Sequence, residues 1–311
     1  MTSSSNITNP SSVLPPLIGD HFFLPRNEHE DNFILALIII NAVMAALTSC
    51  SNAAVIYTIS RTPSLQTPSN ILILGLAISD FSLGVFVQPC LSVRLFAELE
   101  YNLKLYYWCR IIYLASAWTL SVVSILTLTM VIADRFLAIH LHLRYQELIT
   151  TKRYMIILGI IWLVSPWFGA YNGMHDTDKA IRYVYIASIS LLTTLNGYFI
   201  LKIHRAIRRH SVQIQVNTVG QDMPRHKKSV KIMYLVIGAF VLCYGPYSAI
   251  MVARQIVPNR TLTVHLSLIS FTSLLMFNSV LNPIIYFWRI EEMRNAALVL
   301  LQKTRRCGNM N

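Results

Sequence analysis

Residues 129–140 read TMVIADRFLAIH, and the adjacent charges Asp134 and Arg135 close a run, 107–133, that is otherwise apolar. Roughly 20 apolar residues suffice to cross a bilayer as a helix. A charge pair at the end of such a run needs a reason, because ionisable groups at membrane depth are costly. Six further runs lie at about 33–60, 70–94, 154–171, 183–201, 230–253 and 264–288. The pattern predicts an all-α membrane protein, a bundle of seven transmembrane helices. The run at 183–201 is the weakest, diluted by Ser188, Ser190, Thr193, Thr194 and Asn196.

Composition points the same way. Of 311 residues, 54% are hydrophobic and 13% charged, against about 25% charged in soluble domains. The net charge of +12 does not indicate nucleic acid, because the basic residues sit between long apolar runs and not on a continuous polar surface. Lys and Arg favour cytoplasmic loops. With the N-terminus outside, the inner segments hold Arg61, Arg144, Lys152, Arg153, the 202–231 cluster and the tail bases up to Arg306, while the outer segments hold Asp20, Glu28, Glu30, Asp31, Glu98, Glu100, Asp176 and Asp178. The sequons at Asn6 and Asn259 both fall outside in this orientation, as candidate glycosylation sites. The expected organisation is an extracellular segment 1–32, a transmembrane domain 33–288, and a cytoplasmic tail 289–311 beginning with a short amphipathic helix. Residues 1–32 lack a secretory signal pattern, so the first span is expected to act as its own signal. The 203–229 connection is expected as a solvated loop.

In the tail, Ile290, Met293, Ala297, Leu300 and Leu301 share one side of a helix too short and polar to span, which suits the inner membrane face. Cys307 beside Arg305 and Arg306 is a candidate for palmitoylation or an unmodified thiol. Cys50 and Cys243 lie within spans, so no disulfide framework is implied. Pro89, Pro166, Pro246 and Pro283 free backbone carbonyls within spans and mark kinks.

Asp80 is the one acid deep within a span, with Asn52, Ser124, Asn278 and Asn282 at similar depth; Asn278 and Asn282 share a helix face. Oxygen ligands around one carboxylate suit a small hard cation. Interhelical hydrogen bonding is the alternative, worth roughly 0.6–2 kcal/mol per contact.

Taken in order, Asn52, the LAISD run ending at Asp80, Asp134-Arg135-Phe136, Trp162, Cys243-Tyr-Gly-Pro246 and Asn282-Pro-Ile-Ile-Tyr286 resemble the motifs of rhodopsin-like (class A) G-protein-coupled receptors. The nearest neighbourhood is that of melanocortin and adenosine receptors, through LRYQELIT and a short outer loop at 172–182. The resemblance implies a receptor and not an enzyme, at the plasma membrane, that binds an extracellular ligand and activates a heterotrimeric G protein. Arrestin, a receptor kinase and membrane lipid are further partners it implies.

It also implies roles. Asp134 holds Arg135 at rest, and on activation the arginine moves toward Tyr198 and Tyr286; Phe136 departs mildly from the family's tyrosine. His226 replaces the acid that often latches the arginine, which predicts some activity without agonist. Tyr244 stands at the toggle tryptophan, with Phe240 and Pro246 beside it, and Asp80, Ser124, Asn278 and Asn282 form the sodium site. Cys109 lies near the third-helix cysteine but no cysteine at 171–182 can receive it, leaving a Cys90–Cys109 bridge or free thiols. Ala117 replaces the aspartate of amine receptors, Met276 the retinal lysine of opsins, and Met251 the adenosine-binding asparagine. The remaining pocket set is Ala117, Trp118, Ser121, Tyr247, Met251, Thr272 and Met276, rimmed by Arg94, Arg254 and His265. A lipid-like, acidic or peptide ligand, or plain bundle packing, fits such a set. A transporter would carry a polar stripe through more helices, and an intramembrane protease would need paired aspartates or a Ser/His pair.

Overall fold

The computed structural model describes residues 25–141, 143–174, 179–216, 235, 238–239, 241–253 and 262–308. Helix α1 (Glu28–Arg61) starts at a capping box, Asn27 accepting from the Glu30 amide while the Glu30 carboxylate accepts from the Asn27 amide. The second crossing joins α2 (Pro68–Ser82) to α3 (Gln88–Leu99) through a π-helical turn, Leu83–Val87. Pro89 supplies no amide for the helical ladder. The ladder widens just ahead of it, and the Gln88 amide reaches the Leu83 carbonyl.

The later elements are α4 (Leu103–Leu141), the short inner helix α5 (Leu143–Leu148), α6 (Thr151–Met174), α7 (Lys179–Val216), α8 (Val241–Ala253), α9 (Leu262–Arg289) and α10 (Glu291–Gly308). Five crossings are long and strongly apolar: α1, α2–α3, α4, α6 and α9. The polar residues that dilute the fifth run keep α7 out of that group.

The expected loop at 203–229 is corrected in part, because α7 continues to Val216. Residues 203–216 contain no Gly or Pro, so nothing stops the helix there. The expected tail helix is present as α10, with Met293 buried against the bundle and Leu298, Val299 and Leu301 exposed.

Apolar side chains cover the outside as well as the core. Leu163 and Trp167 on α6 are 71% and 75% exposed, a surface suited to lipid. The central core packs Val55, Leu76, Ile125, Leu128, Ile285 and Tyr286. Helices α4 and α6 approach closely at Gly169, where any Cβ would collide with Thr119 and the Ala115 carbonyl. That approach sets the floor against which α4 presents its inward face to α2 and α9.

Candidate ligand cavities and the two buried carboxylates

Asp80 is 1% exposed. Both of its oxygens accept from α9: the Ser279 hydroxyl at 2.7 Å and the Asn282 amide at 2.8 Å. The network continues into α1, where the Asn52 amide donates to the Ser279 carbonyl at 3.0 Å and the Thr48 carbonyl at 2.9 Å. Ser124 lies on the α4 side and is hydrogen-bonded to Ser79 at 3.0 Å. Asp80, Ser124, Asn278 and Asn282 line one cavity of about 60 Å³, together with Ser121 and Ser279. The amide oxygens of Asn278 and Asn282 are buried with no hydrogen-bond partner. Orphaned carbonyl oxygens beside a carboxylate, in a space larger than a water needs, fit a hard cation. Ser279 was not singled out from sequence; its position three before Asn282 was the available signal.

Above this floor the same cavity is walled by Ala117, Trp118, Tyr244, Tyr247, Thr272 and Met276. A second cavity of about 70 Å³ shares Tyr113, Leu114, Trp118, Tyr247 and Thr272 with it and adds Arg94, Arg110, Met251 and His265. The sequence-predicted pocket residues are thus gathered, Met251 and His265 in the outer part. Arg110 and Tyr113 were not singled out from sequence, since an arginine near the outer end of a span ordinarily reaches water and a tyrosine there reads as packing. The Cys90 and Cys109 thiols are free, and Cys90 Sγ donates to the Cys109 carbonyl at 3.3 Å. Phe240, Arg254, His226, Asn6 and Asn259 lie outside the described residues, as does the side chain of Cys307.

At the inner end, Asp134 is also 1% exposed. Three hydroxyls donate to it: Tyr145 at 2.6 Å and Tyr154 at 2.8 Å to one oxygen, Ser69 at 2.7 Å to the other. Arg135 Nε stands 3.8 Å away, beyond hydrogen-bond range. The carboxylate is therefore anchored chiefly to α2, α5 and α6, and its hold on Arg135 is a longer-range attraction. Burial pushes the Tyr145 hydroxyl up to about 12, with the bond to Asp134 adding to the effect, so it stays a donor. Phe136 stacks on His140 and packs against Phe199 of α7, with centroids 4.0 and 5.3 Å apart. Tyr286 is buried, whereas Tyr198 is half-exposed with the Lys202 ammonium over its ring at 5.5 Å. Tyr145 sits in the LRY stretch, but nothing in sequence alone pointed its hydroxyl at Asp134.

The family model for the 7 transmembrane receptor (rhodopsin family) matches residues 51–183 and 170–286. Among similar proteins, adenosine receptor A3 of Ovis aries is 26% identical over 82% of this chain and 86% of its own length. Adenosine receptor A2b of Canis lupus familiaris is 24% identical over 86% and 89%. Trace amine-associated receptor 365 of Petromyzon marinus is 24% identical over 96% and 88%. With the family model covering most of the seven-helix bundle, the chain belongs to the rhodopsin family of G-protein-coupled receptors.

Proposed function

We propose that this receptor works at the plasma membrane with its N-terminus outside and its C-terminus in the cytoplasm, and that its ligand enters the two adjoining cavities. The single observation that carries this reading is a shared wall: Trp118 and Tyr247, which a ligand in the outer cavity would touch, also wall the space above Asp80. A ligand there acts on the same helices that hold the carboxylate. Inward movement of α9 at Pro283 then reshapes the Asp80 cluster, Arg135 leaves Asp134, and the G protein docks at the inner end. Arrestin and a receptor kinase would use the same opened face, with α10 along the inner leaflet.

Sodium is our reading for the Asp80 space, held by Asp80 with Ser124, Asn278, Ser279 and Asn282. The ion neutralises a buried charge and thereby favours the gathered, inactive arrangement. Neither adenosine nor an amine is our ligand, since Met251 and Ala117 stand at the positions that would recognise them.

The test is nucleotide exchange on purified heterotrimer by the receptor in nanodiscs. Basal exchange above a receptor-free control is expected, and Arg135→Ala should abolish it with surface expression retained. Exchange that survives Arg135→Ala would overturn the switch. For topology, glycosidase should raise the mobility of the protein from animal cells, and each Asn→Gln change at Asn6 and Asn259 should remove part of that shift. An N-terminal tag reachable only after permeabilisation would overturn the orientation.

A further inference from the structure

Helices α3 and α4 form an antiparallel hairpin, closed by a turn at 100–102 in which the Asn102 amide donates to the Ala97 carbonyl at 2.9 Å. Two cysteines meet across it. Cys90 Sγ lies 3.3 Å from the Cys109 carbonyl oxygen, and the two thiols also interact side chain to side chain. Both residues are half-buried and both thiols are free. The other three cysteines stand elsewhere: Cys50 on α1, Cys243 on α8 and Cys307 near the end of α10. Cys90 is one turn from Arg94 and Cys109 is next to Arg110, and both arginines line the outer cavity.

We propose that Cys90 and Cys109 are a covalent modification site, closed as an α3–α4 disulfide in the oxidising extracytoplasmic compartment that the receptor passes through. The proposal rests on the orientation given above, which puts this hairpin on the outer side. Bridged cysteines need Cα atoms within about 7 Å. Because Cys90 Sγ already touches the Cys109 backbone, a side-chain rotation brings sulfur to sulfur without moving a helix. The oxidant is the disulfide of a thiol–disulfide carrier. One cysteine thiolate attacks a carrier sulfur, forming a mixed disulfide and releasing one carrier thiolate. The other cysteine's thiolate attacks the receptor sulfur of that mixed disulfide, closing the bridge and releasing the second carrier thiolate. The carrier's S–S bond is thereby reduced by two electrons, and its two thiols take up the two protons the cysteines give up. The bridge closes the loop 91–108 and clamps the wall that Arg94 of α3 and Arg110 and Tyr113 of α4 give to the outer cavity. It stabilises chiefly by restricting the unfolded chain.

The test starts from the wild-type receptor in animal cells, its thiols capped with N-ethylmaleimide before lysis and the purified chain digested without reductant. Mass spectrometry should find peptides carrying Cys90 and Cys109 linked to each other and separating on reduction. Finding both thiols capped overturns the proposal without any variant needing to fold. In nanodiscs, the uncapped wild type should melt about 3 °C or more lower after treatment with a phosphine reductant than before it. Cys90→Ser and Cys109→Ser should each abolish that dependence, whereas Cys50→Ser should keep it. A wild type whose melting temperature ignores the reductant overturns the clamp. An N-terminal tag on the same cells reports on the orientation separately. Capped thiols with an externally reachable tag remove the bridge and leave the orientation, whereas a tag reachable only after permeabilisation removes the orientation and with it the oxidising compartment.

Discussion

Asp80 and Asp134 are buried to the same degree, 1% exposed, and the molecule meets that cost in two ways. Asp134 draws three hydroxyls from α2, α5 and α6, which crowd its oxygens with neutral donors. Asp80 draws two donors from α9 alone and faces a cavity that also exposes two orphaned amide oxygens. Asp134 lines neither of the two cavities. A buried carboxylate saturated from several elements fastens them together. One that is satisfied from one helix and opens on a polar space has room for a further partner there, and it feels movement of that helix.

The comparison breaks most visibly at Arg135, whose replacement by Ala is expected to remove nucleotide exchange altogether. Asp134→Asn should come next. It leaves three donors around a weaker acceptor, and hydrogen bonds to a charged group are worth about 1.5–3 kcal/mol each. The melting temperature should fall and basal exchange should rise as α4 loosens from α6. An unchanged melting temperature would mean the hydroxyls contribute nothing to fastening.

Single hydroxyl deletions sharpen the point at smaller scale. Tyr154→Phe should cost about 1–2 kcal/mol of stability, and Tyr145→Phe less, because Tyr145 is only half-buried on a short helix. Equal losses would argue that α5 is as firmly docked as α6. The smallest effect is expected at His226, where Glu should restore an attraction to Arg135 and lower basal exchange modestly; a rise would count against that latch.

Much of this comparison was legible in the chain. Asp80 and the Asp134-Arg135 pair stand out because charge inside an apolar run has no cheap structural explanation, and most of the runs follow from length and hydropathy, whereas the diluted fifth rests on the charge bias of the loops. Hydroxyl partners were not legible: Ser69, Tyr145, Tyr154 and Ser279 are residues that satisfy themselves in many settings, so only coordinates show which carboxylate they face. Arg110 was hidden for a related reason, since arginine near a span's outer end ordinarily reaches water. The extension of α7 to Val216 was missed because basic residues after an apolar run read as loop, although they are good helix formers.

The central claim is that Asp80 exchanges an ion while Asp134 does not. It is tested by melting the purified wild-type, Asp80→Asn and Asp134→Asn receptors in sodium and in potassium at equal ionic strength. Wild type should be more stable in sodium by about 2 °C or more, with lower basal exchange. Asp134→Asn should keep the difference between the salts. Asp80→Asn should lose it, and should melt no lower than wild type in potassium, because a neutral amide avoids the cost of a buried charge. A wild-type receptor indifferent to the two salts, or an Asp80→Asn receptor that still distinguishes them, would contradict the account and leave the cluster as interhelical hydrogen bonding alone.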